Sequence, residues 1–151
     1  MNLTVGDNAP EFNLKDQNGN DISLSGLKGK RVILYFYPKD DTPGCTVEAC
    51  NFRDDFSLYT DNDTVILGVS PDGEQSHQKF IKKFDLPFSL LCDEDHSVAE
   101  KYGAWDEKSM YGRKYMGIIR TTVQIDKDGK VEKVYEKVKA KDHSKEVLES
   151  F

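Results

Sequence analysis

Two apolar runs dictate the centre of this chain. Val32-Ile33-Leu34-Tyr35-Phe36-Tyr37 and Val65-Ile66-Leu67-Gly68-Val69 are β-branched and aromatic without polar alternation, the pattern of strands covered on both faces in a parallel sheet. Parallel strands need a crossover, and the stretch between the runs supplies one. Thr46 to Tyr59 lacks Gly and Pro and sets Val47, Cys50 and Phe56 at mostly helical spacing, so strand, helix and strand form a βαβ unit. A second helix follows, with His77, Phe80, Ile81 and Phe84 at i, i+3, i+4, i+7, and Pro87 leads into a short strand near Phe88 to Leu91.

The flanks add antiparallel elements. Phe12 and Leu14, the turn residues Asn18-Gly19, then Ile22 and Leu24 predict an N-terminal β-hairpin. A short helical stretch carries Val98, Ala99 and Tyr102, and an irregular aromatic segment runs from Gly103 to Gly117. Thr121 to Ile125, the turn Asp126-Lys127-Asp128-Gly129 and Val131 to Val138 predict a second hairpin, and Asp142 caps a final helix with Val147, Leu148 and Phe151. This order predicts an α/β chain of thioredoxin-like fold with an N-terminal β-hairpin extension and a central mixed sheet flanked by helices. At 151 residues it is expected to be one domain over 1–151.

A net charge of −6 and a pI near 5.1 give no electrostatic reason to expect nucleic acid or anionic membrane as a partner. The longest apolar run has six residues, where a membrane-spanning helix needs about twenty. Met1 to Asp7 has no basic stretch followed by an apolar core, so the expected location is the cytoplasm. Three cysteines are too few for a disulfide scaffold, which makes each one a question about chemistry.

Cys45 follows the loop Pro38 to Gly44 and stands where the first long helix begins. A helix N-terminus offers unpaired N–H groups and about half a positive charge, both of which favour a thiolate over a thiol. The alternative is a small buried apolar residue, for which a loop rich in Pro, Gly and Thr is a poor setting. Zinc is disfavoured, because C-x4-C has no second ligand pair nearby and His77, His96 and His143 are scattered. Asp61-Asn62-Asp63 and Asp93-Glu94-Asp95 lack calcium-loop spacing. Cys92 ends the run Ser89-Leu90-Leu91 and reads as a strand-end packing thiol, the alternative being a resolving role.

Pro38, Thr42 and Cys45 form P-x3-T-x2-C, and Gly44-Cys45-Thr46-Val47-Glu48-Ala49-Cys50 places a second cysteine five residues on. With these motifs the chain resembles the peroxiredoxins, and within them the peroxiredoxin Q or bacterioferritin comigratory protein subfamily. The resemblance extends over nearly the whole chain, through Val5 to Phe12, Gly68-Val69-Ser70, Met110-Tyr111-Gly112 and Gly117 to Thr122. It implies a peroxidase of hydrogen peroxide and organic hydroperoxides that needs no metal or other cofactor. It also implies a monomer re-reduced by thioredoxin or a glutaredoxin-like donor. Cys45 would be the peroxidatic cysteine and Cys50 the resolving one. Thr42 and Arg120 would bind and polarise peroxide, while Pro38 and Pro43 shape the loop that also holds Gly44. Glu48, read as lying in the first helical turn, either joins this network or only complements the helix dipole. Val123-Gln124-Ile125 departs from the family where a more apolar strand is expected.

Physical chemistry adds two constraints. Lowering any thiol pKa from about 8.5 to about 6 raises the thiolate fraction at pH 7 about thirtyfold. A Brønsted slope near 0.4–0.5 removes roughly tenfold of that gain, so fast O–O cleavage needs donors that hold charge on the departing oxygen. In a regular helix, residues i and i+5 have Cα atoms about 8–9 Å apart, whereas a disulfide needs less than about 7 Å. The helix must therefore unwind if Cys45 and Cys50 are to bond, and no unwinding is needed if Cys50 is only a core residue. A rival reading of another class is a stoichiometric redox sensor or holdase using the same cysteines. A general disulfide oxidoreductase is disfavoured by the missing C-x-x-C.

Overall fold

The computed structural model describes residues 3–151, so Met1 and Asn2 at the head of the stretch read for a leader lie outside the described residues. Strands β1 (Asn13–Lys15) and β2 (Asp21–Ser23) form the N-terminal hairpin, with Leu14 opposite Ile22. β3 (Arg31–Phe36), helix α1 (Pro43–Asp54), helix α2 (Phe56–Thr60) and β4 (Thr64–Ser70) make the βαβ unit. Then come α3 (Glu74–Phe84), β5 (Ser89–Cys92) and α4 (Ser97–Lys101). β6 (Trp105–Met110), β7 (Arg113–Ile118), β8 (Thr121–Ile125), β9 (Val131–Tyr135) and α5 (His143–Glu149) complete the chain. Seven strands form one mixed sheet in the order β2-β1-β5-β4-β3-β8-β9, with β3, β4 and β5 parallel and β8 antiparallel to β3. This is the expected thioredoxin-like arrangement with its hairpin extension. No described helix is long and apolar enough to cross a membrane.

Two-sided burial explains why β3 shows no polar alternation. Val32, Leu34 and Phe36 enter one core with Phe12, Leu91 and Tyr102, while Ile33, Tyr35 and Tyr37 enter the other with Cys45, Phe52 and Phe80. Both faces must then be apolar. On the second face Tyr35 stacks between Tyr37 and Phe52 at centroid distances of 5.4 and 4.8 Å, forming an aromatic floor beneath α1.

Several local expectations are corrected. The helix expected over Thr46 to Tyr59 starts earlier, at Pro43, and breaks at Asp55, which leaves helical geometry at φ −100° and ψ 9° while its carboxylate accepts Ser144 Oγ from α5. Proline fits the first helical position because no N–H is needed there. The segment Gly103 to Gly117 is largely ordered as the hairpin β6–β7, paired from Trp105↔Ile118 to Met110↔Arg113. Its turn residues Tyr111 and Gly112 both have positive φ, 51° and 77°, as a two-residue hairpin turn requires. Most of its side chains face solvent, so no apolar alternation marked the strands. Trp105 packs against the core and stacks on His96 at 3.7 Å, whereas Met110, Tyr111, Tyr115 and Met116 are exposed.

At the C-terminus, β9 stops at Tyr135, short of Val138. Asp142 precedes α5 in the left-handed region at φ 60°, with no side-chain cap bond, and Phe151 lies beyond the helix, edge-on to Tyr59. Gln124 keeps a polar group inside β8 because both ends of its amide are bonded, Nε2 to Glu132 at 2.6 Å and Oε1 by Ser150 Oγ at 3.1 Å. Cys92 is half-buried at the end of β5, and burial, with Glu74 and Glu94 nearby, pushes its thiol up to about 11.

Gly68 lies where β4 crosses the aromatic floor, and a Cβ there would meet Leu90 Cδ2 at 2.7 Å and the Tyr35 ring at 3.0 Å. Both neighbours are buried and cannot withdraw. Gly68→Ala is expected to lower the unfolding free energy in urea by about 1–3 kcal/mol through overpacking; an unchanged midpoint would show that the floor is slack.

Candidate active site

The loop after β3 delivers the chain to the start of α1, where Thr42 is the N-cap residue and Pro43 the first helical residue. Thr42 makes no side-chain cap bond; its Oγ1 instead donates to the Lys39 carbonyl at 2.9 Å. Two consequences follow. By helix geometry the N–H groups of Gly44 and Cys45 are left without the usual side-chain partner. With its proton directed at the Lys39 carbonyl, the Thr42 hydroxyl leaves its oxygen lone pairs free to accept. Pro38 is half-buried beside this loop and Pro43 is exposed.

Cys45 is buried, only 1% exposed, and its sulfur faces Arg120. Arg120 Nη2 donates to Cys45 Sγ at 3.1 Å and Nη1 donates to Glu48 Oε1 at 3.1 Å. One planar guanidinium thus bridges the sulfur and the carboxyl group one turn below it. Gly44 suits the same approach, because a Cβ there would lie 2.7 Å from Arg120 Nη2 and the guanidinium would have to shift. Since α1 starts at Pro43, Glu48 sits in its second turn, not its first, and it joins the network instead of complementing the helix dipole.

Burial raises the Glu48 carboxyl to about 7, against the opposing pull of Arg120, and among the described residues its Oε2 has no hydrogen-bond partner. Tyr35, whose hydroxyl is also buried and unpartnered, is held far above its ordinary value, first by burial and then by Glu48 and Cys45. Lys108, which the sequence did not single out, donates to the Ile118 carbonyl at 2.8 Å, and burial and the nearby Arg120 lower its ammonium group. The structure therefore gathers Cys45, Thr42, Gly44, Glu48 and Arg120, and adds Lys108. Cys50 lies farther along the same unbroken helix, half-buried, and all three thiols are free. Among the described residues no group of three His, Cys, Asp or Glu side chains is placed to hold a metal ion.

A model of the AhpC/TSA family matches residues 5–134. The chain is 49% identical over 151 residues to peroxiredoxin Bcp of Bacillus subtilis, covering 100% of this chain and 96% of that one. It is 45% identical over 146 residues to peroxiredoxin Bcp of Escherichia coli, covering 97% and 94% of the two chains. Among solved structures, it is similar to peroxiredoxin Q of Xanthomonas campestris with TM-score 0.88 at 34% identity, over 92% of this chain and 88% of that one. Another is PrxQ of Xylella fastidiosa, with TM-score 0.92 at 30% identity over 98% and 94%. One of the Xanthomonas structures is described in terms of the alkyl peroxide reduction activity of that protein.

The raised Glu48 carboxyl has a consequence for stability. The native state keeps the proton up to about pH 7, whereas the unfolded chain releases it near its ordinary value of 4.5. Between these values the native state binds more protons, so this contribution to stability falls as pH rises from about 4.5 to about 7. Glu48→Gln cannot titrate. The unfolding free energy of the parent relative to Glu48→Gln is expected to drop by on the order of 2–3 kcal/mol between pH 5 and pH 8 in urea titrations. Parallel curves for the two proteins would contradict it.

Proposed function

The chain belongs to the AhpC/TSA family, and for its thiol-dependent peroxidase activity we propose a chemistry centred on Cys45. One observation carries this reading: the Arg120 guanidinium, itself held by Glu48, lies 3.1 Å from the Cys45 sulfur at the start of α1. A peroxide oxygen brought against Sγ shares that guanidinium and the Gly44 and Cys45 N–H groups, while Thr42 Oγ1 accepts the peroxide O–H. The Cys45 thiolate attacks the near oxygen, the O–O bond breaks, and the departing oxygen leaves as water or an alcohol after taking a proton. Cys45 becomes a sulfenic acid. The donors act on charge that develops in the transition state, which is where electrostatic preorganisation is most effective.

In the same reading, Cys50 attacks the sulfenic sulfur, releasing water and forming an intramolecular disulfide. Both residues lie in one unbroken helix, so α1 must unwind for this step. Hydrogen peroxide and organic hydroperoxides are the proposed substrates. A thioredoxin or glutaredoxin-like protein is the proposed reductant of a monomeric, single-domain enzyme in the cytoplasm, a compartment that keeps thiols reduced. The peroxidase reading takes precedence over a stoichiometric sensor or holdase, because relatives at 45–51% identity are named peroxiredoxins.

Cys45→Ser is expected to lose peroxide-dependent NADPH consumption in a thioredoxin-coupled assay while keeping its circular dichroism; substantial turnover would remove Cys45 from the chemistry. Arg120→Ala should slow the first oxidation by about 10²-fold, read by stopped-flow fluorescence, and an unchanged rate would reduce Arg120 to a bystander. Cys50→Ser should consume one equivalent of peroxide and hold a dimedone-reactive sulfenic acid at Cys45. A Cys45–Cys92 bridge in peptide maps of the oxidised parent would overturn the assignment of Cys50.

A further inference from the structure

The loop that presents Thr42 is anchored by one buried carboxylate outside the site just described. Asp40, 7% exposed, accepts the Tyr37 hydroxyl at Oδ1 and Ser76 Oγ at Oδ2, 2.7 Å away, and the same Oδ2 lies 2.6 Å from His77 Nδ1. Its own backbone N–H donates to Asp72 Oδ2 at 2.7 Å. His77 is fully buried in α3, and its second nitrogen, Nε2, lies 2.9 Å from the Leu91 carbonyl of β5. Hydrogen-bond valence locates the protons. A carbonyl only accepts, so Nε2 carries a hydrogen, and the Nδ1–Oδ2 contact then holds one more between its two atoms. Two hydroxyls donate to the same carboxyl group, so each polar side-chain atom of the buried Asp40–His77 pair is engaged. A buried pair of this kind is worth little as a generic stabiliser, since its desolvation offsets much of the attraction.

Its position gives it a more specific use. The chain turns sharply after Asp40, because Asp41 occupies the left-handed region at φ 55°, and the Asp41 carboxylate pairs with the exposed Lys83. The carbonyl that takes the Thr42 proton belongs to Lys39, the residue immediately before Asp40. Immobilising Asp40 on both its carboxylate and its N–H fixes the peptide plane next to it, and so the direction in which Lys39 O receives the Thr42 hydroxyl. We propose that Asp40 and His77 are positioning residues for peroxide binding: through the Lys39 carbonyl they hold the lone pairs of Thr42 Oγ1 toward the substrate beside Cys45. This rests on the reading of Cys45 and Thr42 given above. Neither residue touches the sulfur or Arg120 among the described hydrogen bonds, so the effect travels through the loop backbone.

The test is a double-mutant cycle on the second-order rate of Cys45 oxidation by hydrogen peroxide, measured by stopped flow on reduced protein. Asp40→Ala should slow oxidation about tenfold, and Asp40→Asn, which can still accept from a hydroxyl and donate to a neutral His77, should restore it to within about threefold. In a Thr42→Val background, where there is no hydroxyl left to orient, Asp40→Ala should slow oxidation less than about twofold further. A role confined to stability would slow both backgrounds equally or neither, and either result overturns the proposal. Should Asp40→Ala fail to fold, Tyr37→Phe and Ser76→Ala each remove one hydroxyl donor without stranding a charge. They should slow oxidation two- to threefold in the Thr42 background only, and equal rates in both backgrounds would count against the proposal. Failure of the underlying reading is distinguished by Cys45→Ser, which would then retain turnover whatever the cycle shows.

Discussion

Arg120 reaches Cys45 because β8 runs antiparallel to β3 in a register that sets Phe36 opposite Thr121. The end of β3 feeds the loop and α1, and the start of β8 follows directly from Arg120. That pairing therefore brings two residues 75 positions apart to 3.1 Å. A register slip by one residue would turn the alternate set of β8 side chains to each face, with Val123 and Gln124 exchanging environments. Burial guards against this, since Val123 packs in one core while Gln124 is bonded by Glu132 and Ser150 on the other side.

Around that contact the site is made of groups kept from their ordinary partners. Thr42 stands at an N-cap without capping, Gly44 has no side chain where one would strike the guanidinium, and Glu48 is taken into the core with one oxygen unpaired among the described residues. Each arrangement costs local stability, and together they leave helix-start N–H groups and the Arg120 guanidinium beside the Cys45 sulfur. The apolar packing beneath offsets these costs. Phe52 and Tyr35 stack at 4.8 Å under α1, and Asn51 and Arg53 tie the far half of the helix to the Ala140 and Phe84 carbonyls. These ties fall after Cys50. The proposed unwinding between Cys45 and Cys50 thus concerns a segment whose described side-chain bonds are chiefly those of the peroxide site itself, which oxidation would alter.

Much of this was legible in the chain before folding was considered. The runs over Val32–Tyr37 and Val65–Val69 report two-sided burial directly, because an apolar residue at every position is tolerated only where both faces are covered. The motif from Pro38 to Cys45 is local, and so is the placement of a thiol at a helix start. Where the sequence misled, the elements were exposed or governed by distant partners. The strands of β6–β7 carry little apolar alternation because solvent takes most of their side chains, and the helix break at Asp55 answers to Ser144 in α5.

The amino-acid sequence by itself determined the parallel centre of the sheet, the helix start that carries Cys45 and the five-residue spacing to Cys50. All of these depend on neighbours within a few residues. Only the tertiary structure decided that Arg120 spans Cys45 and Glu48, that Glu48 is held protonated up to about 7, that Lys108 joins the site and that Asp40 pairs with His77. The physical reason is that electrostatics and desolvation depend on distance and burial. Those were set here by strand register and helix packing between segments tens of residues apart, which local spacing does not encode.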